Sequence, residues 1–452
     1  MTPNARLPPA PSGHPVIGHT LDFARSPFEF VDRATNECGD LYRMELPSVN
    51  VYVLAHPEFF RQALVTDIDA FGKTDDFQRV FGNGLLSTEG DQWSRQRGIL
   101  QPLFHRERIE GYGEYMVNAT QRRLATWEAG ETRNIESEMQ DLTLEILFAT
   151  LFGRELPPGE GNDLRAASDG LNKWFAPTSW LLPNWIPTPS RREFSNSVER
   201  LRTEVRQLLA EYDVDSKSEG SSQPNALQHE TLLSKLHKAR EASGQDQLST
   251  EEVEDQMLTM IFAGYETTAA ALGFAWYSLA TNPDIRQAFH DELDTVLDGE
   301  PPTQADIADL DLTNRIVTET LRLYPPIHTI PRKATRDIQV GEYQIPANEE
   351  VHLSIISVHR DERFYDDPLS FRPDRWTEEF EEELPDHAFI PFGGGRRTCI
   401  GREFARLEAT LVLATIGQQW TLEWAGEDPT ITIEPEITTQ TKNGLPMRLR
   451  QR

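Results

Sequence analysis

The apolar and polar positions of the chain alternate mostly with helical period, and one stretch dominates. Between Asp255 and Asp284 the sole charged side chain is Glu266. The capping-box sequence Ser249-Thr-Glu-Glu252 precedes this stretch and Asn282-Pro283 closes it, so the spacing predicts a helix of about 30 residues, roughly 45 Å long. Acids flank it without Lys or Arg anchors, and Gly264, Thr267, Thr268 and Gly273 interrupt the apolar run, which marks a buried central helix rather than a membrane span. From Trp93 to about Asn196 the pattern is mainly helical, with Leu142, Leu144, Ile146, Leu147, Leu151 and Phe152 as candidate core. A proline-broken connection falls at Trp185 to Pro189, a helical stretch near Val198 to Tyr212, and an exposed loop over Asp213 to Gln228.

Another helical pattern passes through Ile316, Thr320 and Leu323 and stops at Pro325-Pro326. Short β-like runs occupy Val49 to Leu54, Ile338 to Val340 and Val351 to Val358, the acidic run Glu378 to Glu383 reads as a solvated loop, and an amphipathic helix begins at about Arg402. The expected fold is mainly α with small β-sheets, in a single domain over 1–452 whose first 20 residues are a stiff proline-rich segment.

Charge narrows the partners. A formal net charge of −29 argues against nucleic acid and against an anionic membrane surface, both of which would repel it. Only seven of the 44 basic residues are lysine, against 73 acids. Such a surface suits concentrated salt, where at about 1 M the Debye length shrinks to roughly 3 Å and carboxylate repulsion is screened, so a halophilic source is expected. The N-terminus shows no secretory pattern, and a cytoplasmic location is expected. Two cysteines, Cys38 and Cys399, are too few for a disulfide framework or a four-cysteine zinc site. Cys38 has no glycine-rich or basic context and reads as structural.

Cys399 differs. It lies in Phe392-Gly-Gly-Gly-Arg-Arg-Thr-Cys399-Ile-Gly401, just ahead of a helix whose exposed amides favour thiolate over thiol, and the glycines let backbone approach a large flat ligand. That context suits a metal thiolate, and it equally suits a small apolar cysteine in a glycine-rich turn. Glu266 is a lone carboxylate in apolar surroundings and needs a partner, a water or a task. Thr267 beside it can simply bond back to a carbonyl one turn earlier, or, next to a ligand, leave a groove in the helix there. Glu319 and Arg322, three apart on one helical face, can pair, and alone that says nothing of function.

The spacing Phe-x-x-Gly-x-Arg-x-Cys-x-Gly is met in full by Phe392, Gly395, Arg397, Cys399 and Gly401. Trp93-x-x-x-Arg97, Ala263-Gly-Tyr-Glu-Thr-Thr268, Glu319-Thr-Leu-Arg322 and Phe371-Arg-Pro-Asp-Arg-Trp376 occur in order around it. Over essentially its whole length the chain resembles the cytochrome P450 family. The resemblance implies the fold of that family, with haem b between the long central helix and the cysteine helix and Cys399 as its iron ligand. It implies that Trp93, Arg97, Arg332 and Arg397 bind the propionates, that Phe392, Ala263 and Gly264 contact the cofactor, and that Glu266 and Thr267, supported by Thr268, deliver protons to dioxygen. Glu319, Arg322 and Arg375 become a buried network that holds the cysteine loop.

The activity implied is mono-oxygenation of a lipophilic small molecule, of the fatty acid, isoprenoid or carotenoid class, with dioxygen as co-substrate. Two cysteines cannot hold an iron–sulfur cluster and no dinucleotide fingerprint stands out, so a separate electron donor, a ferredoxin with its reductase, is expected. The rival readings are a peroxide-driven or redox-independent haem-thiolate enzyme and a non-catalytic haem sensor; the Glu266–Thr267 pair argues against both. Pocket walls are expected at Asp75 to Leu86, Leu171 to Trp185 with Phe175 and Trp180, Ala263 to Thr267, Ile327 to Ile330, and the turn near Thr439 to Gly444.

Overall fold

A helix of 32 residues, Thr250–Thr281, organises the molecule. Both halves of its capping box form: the Ser249 hydroxyl accepts from the Glu252 amide, and the Glu252 carboxylate accepts from the Ser249 amide. The computed structural model describes residues 6–15, 17–47, 49–157, 159, 161–172, 174, 186–217, 231–428 and 430–452. Helices Gly90–Leu100, Ile135–Leu147, Asn162–Asn172, Pro189–Lys217, Asp311–Leu323 and Arg402–Gln419 accompany the long one. Ile135–Leu147 packs closely along it, because Gly264 of the long helix has no side chain to hold the pair apart. A Cβ there would stand 2.6 Å from Leu147 Cδ1. One contiguous cluster of buried apolar side chains runs from Val80 to Leu449 around this pair.

The sheets are small and sit to one side. The largest has strand order Leu41–Glu45, Asn50–Leu54, Glu350–Ser354, Thr329–Ala334, Phe71–Gly72, parallel only between its second and third strands. Thr132–Asn134, Pro446–Gln451 and Trp420–Trp424 form a three-stranded sheet, and Ile433–Pro435 with Thr439–Thr441 form an antiparallel hairpin. The mainly helical fold with small sheets is the one expected. No helix among the described residues is long and apolar enough to cross a membrane.

Three local expectations are corrected. Glu378–Glu383 is a short helix, because Thr377 caps it by accepting from the Phe380 amide and Phe380 packs edge-on against Trp376. The helix beginning at Pro189 continues through the start of the expected loop to Lys217, where Arg240 of helix Leu232–Glu241 pairs with Asp213 at 2.8 Å; positions 218–228 lie outside the described residues. The strand of Val351 ends at Ser354 and turns into helix Ile355–His359, whose Ile356 amide is bound by the His328 carbonyl at 3.1 Å. The long helix stays α-helical from Ala263 to Thr267, and Thr267 does bond back, donating to the Ala263 carbonyl at 3.0 Å.

Candidate active site

A cavity of about 620 Å³ lies between the long helix and the cysteine loop. Cys399, Trp93, Arg97, Arg332, Arg397, Phe392, Ala263, Gly264, Thr267 and Thr268 all line it. These positions span more than three hundred residues of sequence, and the fold brings all of them to one space. Glu266 does not line it.

The cysteine loop is shaped by two glycines in the left-handed region, Gly393 at φ 69° and Gly395 at φ 63°. A Cβ on Gly395 would fall 2.2 Å from the Leu64 carbonyl oxygen, so only glycine allows the loop to seat there. The Cys399 amide closes the turn on the Phe392 carbonyl at 2.9 Å, and Gly401 caps helix Arg402–Gln419. The accessible surface of Cys399 opens onto the cavity. Burial pushes its thiol up, with the Gly401 amide, Arg97 and Arg402 pulling the other way. The expected preference for thiolate is reversed here, because desolvation outweighs the Gly401 amide and the two guanidinium groups.

At one end of the cavity the positive charges gather. The Arg397 guanidinium lies 4.7 Å from the Trp93 ring centroid and donates to the Thr88 carbonyl at 2.8 Å. Arg97 donates to Gln101 at 2.8 Å and to the Thr398 carbonyl at 3.0 Å. Arg332 is buried and donates to the Pro331 carbonyl at 2.9 Å, and burial, with Arg397 beside it, lowers its pKa to about 10. Lys73, on the same wall, is held well below its ordinary range by burial and by Arg332 and Arg397. The nearest carboxylate to Arg397 among its ion pairs is Glu89, at 4.0 Å. A cluster of desolvated cations with so little counter-charge fits a group that brings its own carboxylates. With a cysteine sulfur facing an otherwise apolar cavity, the residues present fit haem: a thiolate for iron, guanidinium groups for propionates, and apolar walls for the ring. Lys73 was missed from the sequence; its one signal is that it is a rare lysine just ahead of the pocket segment.

Glu266 turns to the other side of the long helix and is almost wholly buried. Its Oε1 accepts from Asn172 Nδ2 at 2.7 Å and from Gln440 Nε2 at 3.0 Å, and its Oε2 accepts from the Thr438 hydroxyl at 3.3 Å. Burial pushes its carboxyl up to about 8, with the acids Asp169 and Glu436 adding to the effect.

Glu319, Arg322 and Arg375 form one buried hydrogen-bonded network. Arg322 donates to both Glu319 oxygens, Arg375 and Trp376 donate to the same carboxylate at 3.1 and 2.9 Å, and Arg322 also donates to the His359 carbonyl at 2.8 Å. The His359 Nε2 in turn accepts from the Ile390 amide at 3.0 Å, two residues before Phe392, so the network reaches the cysteine loop through a histidine. Burial lowers the His359 pKa to about 3 and keeps that ring neutral.

The pocket walls need two corrections. Asp76 to Leu86, Ala263 to Thr267 and Ile327 to Ile330 contribute lining residues, but the hairpin wall is its tip, Pro435, Glu436 and Ile437, and not Thr439 to Gly444. The second strand is drawn away because Thr441 is tied to Glu136 through both amide and hydroxyl, at 2.8 Å each. Leu171 and Trp174 face the core instead, Trp174 packing on Phe194 with Arg79 over its ring at 4.5 Å; Phe175 and Trp180 lie outside the described residues. Leu147, Leu151, Val317 and Leu321 also line the cavity and carried no sequence signal beyond being apolar.

Comparison with known proteins agrees with this geometry. The family model for cytochrome P450 matches residues 8–446. The chain is 33% identical to pentalenene oxygenase of Streptomyces avermitilis, over 94% of this chain and 92% of that one. It is 32% identical to cyclooctatin synthase and 31% identical to cyclooctat-9-en-7-ol 5-monooxygenase, both of Streptomyces melanosporofaciens, each over 91% of this chain and 89% of the relative. With a near-complete family match and this cysteine-faced cavity, the chain belongs to the cytochrome P450 family and is a haem-thiolate mono-oxygenase.

Proposed function

We propose that this mono-oxygenase hydroxylates an isoprenoid, taking electrons from a separate ferredoxin and its reductase in the cytoplasm. The observation that carries the reading is a largely apolar cavity lined by Cys399, by the arginine cluster and by Thr267 of the long helix. Relatives named for pentalenene and for cyclooctat-9-en-7-ol support an isoprenoid over a fatty acid or carotenoid guest. Cys399 would ligate the iron, and Arg97, Arg332, Arg397 and Trp93 would hold the propionates, with Phe392, Ala263 and Gly264 against the ring. Haem, when bound, supplies reductive activation of dioxygen, and thiolate ligation favours O–O cleavage. The chain does the rest. Phe77, Phe81, Leu147 and Ile437 exclude water and orient the guest. Glu266 holds a proton, Thr267 presents a hydroxyl at the cavity wall, and the substrate gains one oxygen atom while the other leaves as water, with two electrons and two protons consumed.

The test is a titration of pentalenene, a diterpene alcohol, laurate and β-carotene into the ferric protein, followed by turnover with ferredoxin, reductase and dioxygen. An isoprenoid should shift the haem absorption band and yield a hydroxylated product. Turnover with peroxide alone, undiminished in Thr267→Ala and absent with dioxygen and reductant, defeats the mono-oxygenase reading of the site. Cys399→Ser should fold but lose the spectral signature of thiolate ligation; retention of that signature defeats the ligand assignment.

A further inference from the structure

The hairpin Ile433–Thr441 touches both the cavity and Glu266. Its tip, Pro435 to Ile437, lines the cavity, and the next residue, Thr438, is wholly buried and donates to Glu266 Oε2. Thr438, just ahead of strand Thr439–Thr441, and Gln440 within it both reach Glu266, while Thr439 and Thr441 anchor the strand. The Thr439 amide binds the Pro326 carbonyl at 2.8 Å and its hydroxyl the Pro325 carbonyl at 2.9 Å; Thr441 is tied to Glu136. The strand is pinned at Thr439 and Thr441, and its tip projects from that anchor.

The two oxygens of Glu266 are held unequally. Among the described residues Oε1 has two amide donors, Asn172 at 2.7 Å and Gln440 at 3.0 Å, whereas Oε2 has only the Thr438 hydroxyl at 3.3 Å, the longest of the three. A guest that presses on Ile437 moves the residue beside Thr438, and the longest bond yields first. We infer that the hairpin couples cavity filling to proton supply: Thr438 and Gln440 are positioning residues that hold the Glu266 carboxyl away from Thr267 when the cavity is empty and release its Oε2 when Ile437 is displaced. The groups facing Glu266 are consistent with a held proton. Asp169 approaches from helix Asn162–Asn172 and Glu436 from the hairpin, both acidic, while its hydrogen-bond donors are neutral amides and a hydroxyl. The inference rests on the reading that Glu266 supplies protons to the reaction, and it names what controls that supply.

Infrared difference spectroscopy on the ferric holoenzyme tests it without turnover. The Glu266 carboxyl band is assigned by its loss in Glu266→Gln. Two probes ligate haem iron through nitrogen, imidazole without a tail and 4-phenylimidazole with an aromatic ring projecting into the cavity. In the wild type the band should shift with 4-phenylimidazole and stay with imidazole. Thr438→Val should place the band at its shifted position before any probe is added, and Thr438→Ser should restore the wild-type response. Dioxygen consumption without substrate should rise several-fold in Thr438→Val. A wild-type band unmoved by 4-phenylimidazole, or one that moves equally in Thr438→Val, overturns the coupling, and the wild-type comparison decides alone if the valine variant does not fold. An unchanged yield of product per dioxygen in Glu266→Gln would instead remove the proton-supply reading, an outcome separate from the infrared result.

Discussion

Arg322 grips Glu319 through two hydrogen bonds of 2.7 and 2.8 Å, and both side chains are completely buried. Three helical positions separate them, a spacing that on an exposed helix would be worth a few tenths of a kcal/mol. Here the carboxylate also receives Arg375 and Trp376, so removing it strands two guanidinium groups in the interior.

Glu319→Ala should therefore destabilise the protein by about 3–5 kcal/mol, the range for breaking a buried pair on one side. Chemical denaturation followed by far-ultraviolet circular dichroism measures it. The cysteine loop should loosen as well, since Arg322 supports it through His359 and the Ile390 amide, and the variant should lose haem faster than the wild type. A cost below about 1 kcal/mol, the level of a surface ion pair, would show that the network is not what holds this region.

A pH profile of stability reads Glu266 directly. Its carboxyl is raised in the folded protein from the ordinary 4.5 to about 8, chiefly by burial, so between those values the native state binds a proton that the unfolded chain has lost. Unfolding free energy from this group should fall as pH rises through that window and level off above about 8. Glu266→Gln is neutral throughout and should flatten that part of the curve. Identical slopes for the two proteins would mean that Glu266 titrates in its ordinary range.

Thr267→Ala separates the two roles open to this hydroxyl. If it serves only to satisfy the Ala263 carbonyl, the variant should lose little beyond a neutral hydrogen bond, about 1 kcal/mol of stability, with product yield per dioxygen unchanged. As a proton-presenting group it should cut product formation by roughly 10²-fold while dioxygen is still consumed and reduced without hydroxylation. Oxygen electrode and product assay in the same vessel distinguish these.

Salt should stabilise the protein. With a net charge of −29, carboxylate self-repulsion opposes the compact state, and raising salt from about 0.1 to about 1 M shortens the Debye length from roughly 10 to roughly 3 Å. The melting temperature should climb steadily with potassium chloride. A flat curve would mean that the ion pairs of the surface, such as Arg363 with Asp40 and Asp361, already neutralise the acids locally, and the halophile reading would lose its support.

Most of the fold could be read from periodicity because helices dominate it. The capping box at Ser249, the proline stop after Leu323 and the glycine-cysteine turn before Arg402 are local signals, set by φ restrictions and unpaired amides within a few residues. Expectations failed where particular side-chain contacts, near or distant in the chain, outweighed composition. An acidic run became a helix because Phe380 found Trp376, and a polar stretch stayed helical because Arg240 reached Asp213.

For the site, the sequence by itself determined which side chains are the candidates for the chemistry. The spacing around Cys399 and the charge isolation of Glu266 depend on residue identity and order alone. Only the tertiary structure decided where they point. Glu266 and Thr267 are neighbours in the chain, yet a helix rotates successive residues about 100° apart, and packing settles which of them faces the cavity. Thr267 faces it, and Glu266 faces Asn172 and the hairpin, partners 94 and 174 residues away that no local rule could have assigned.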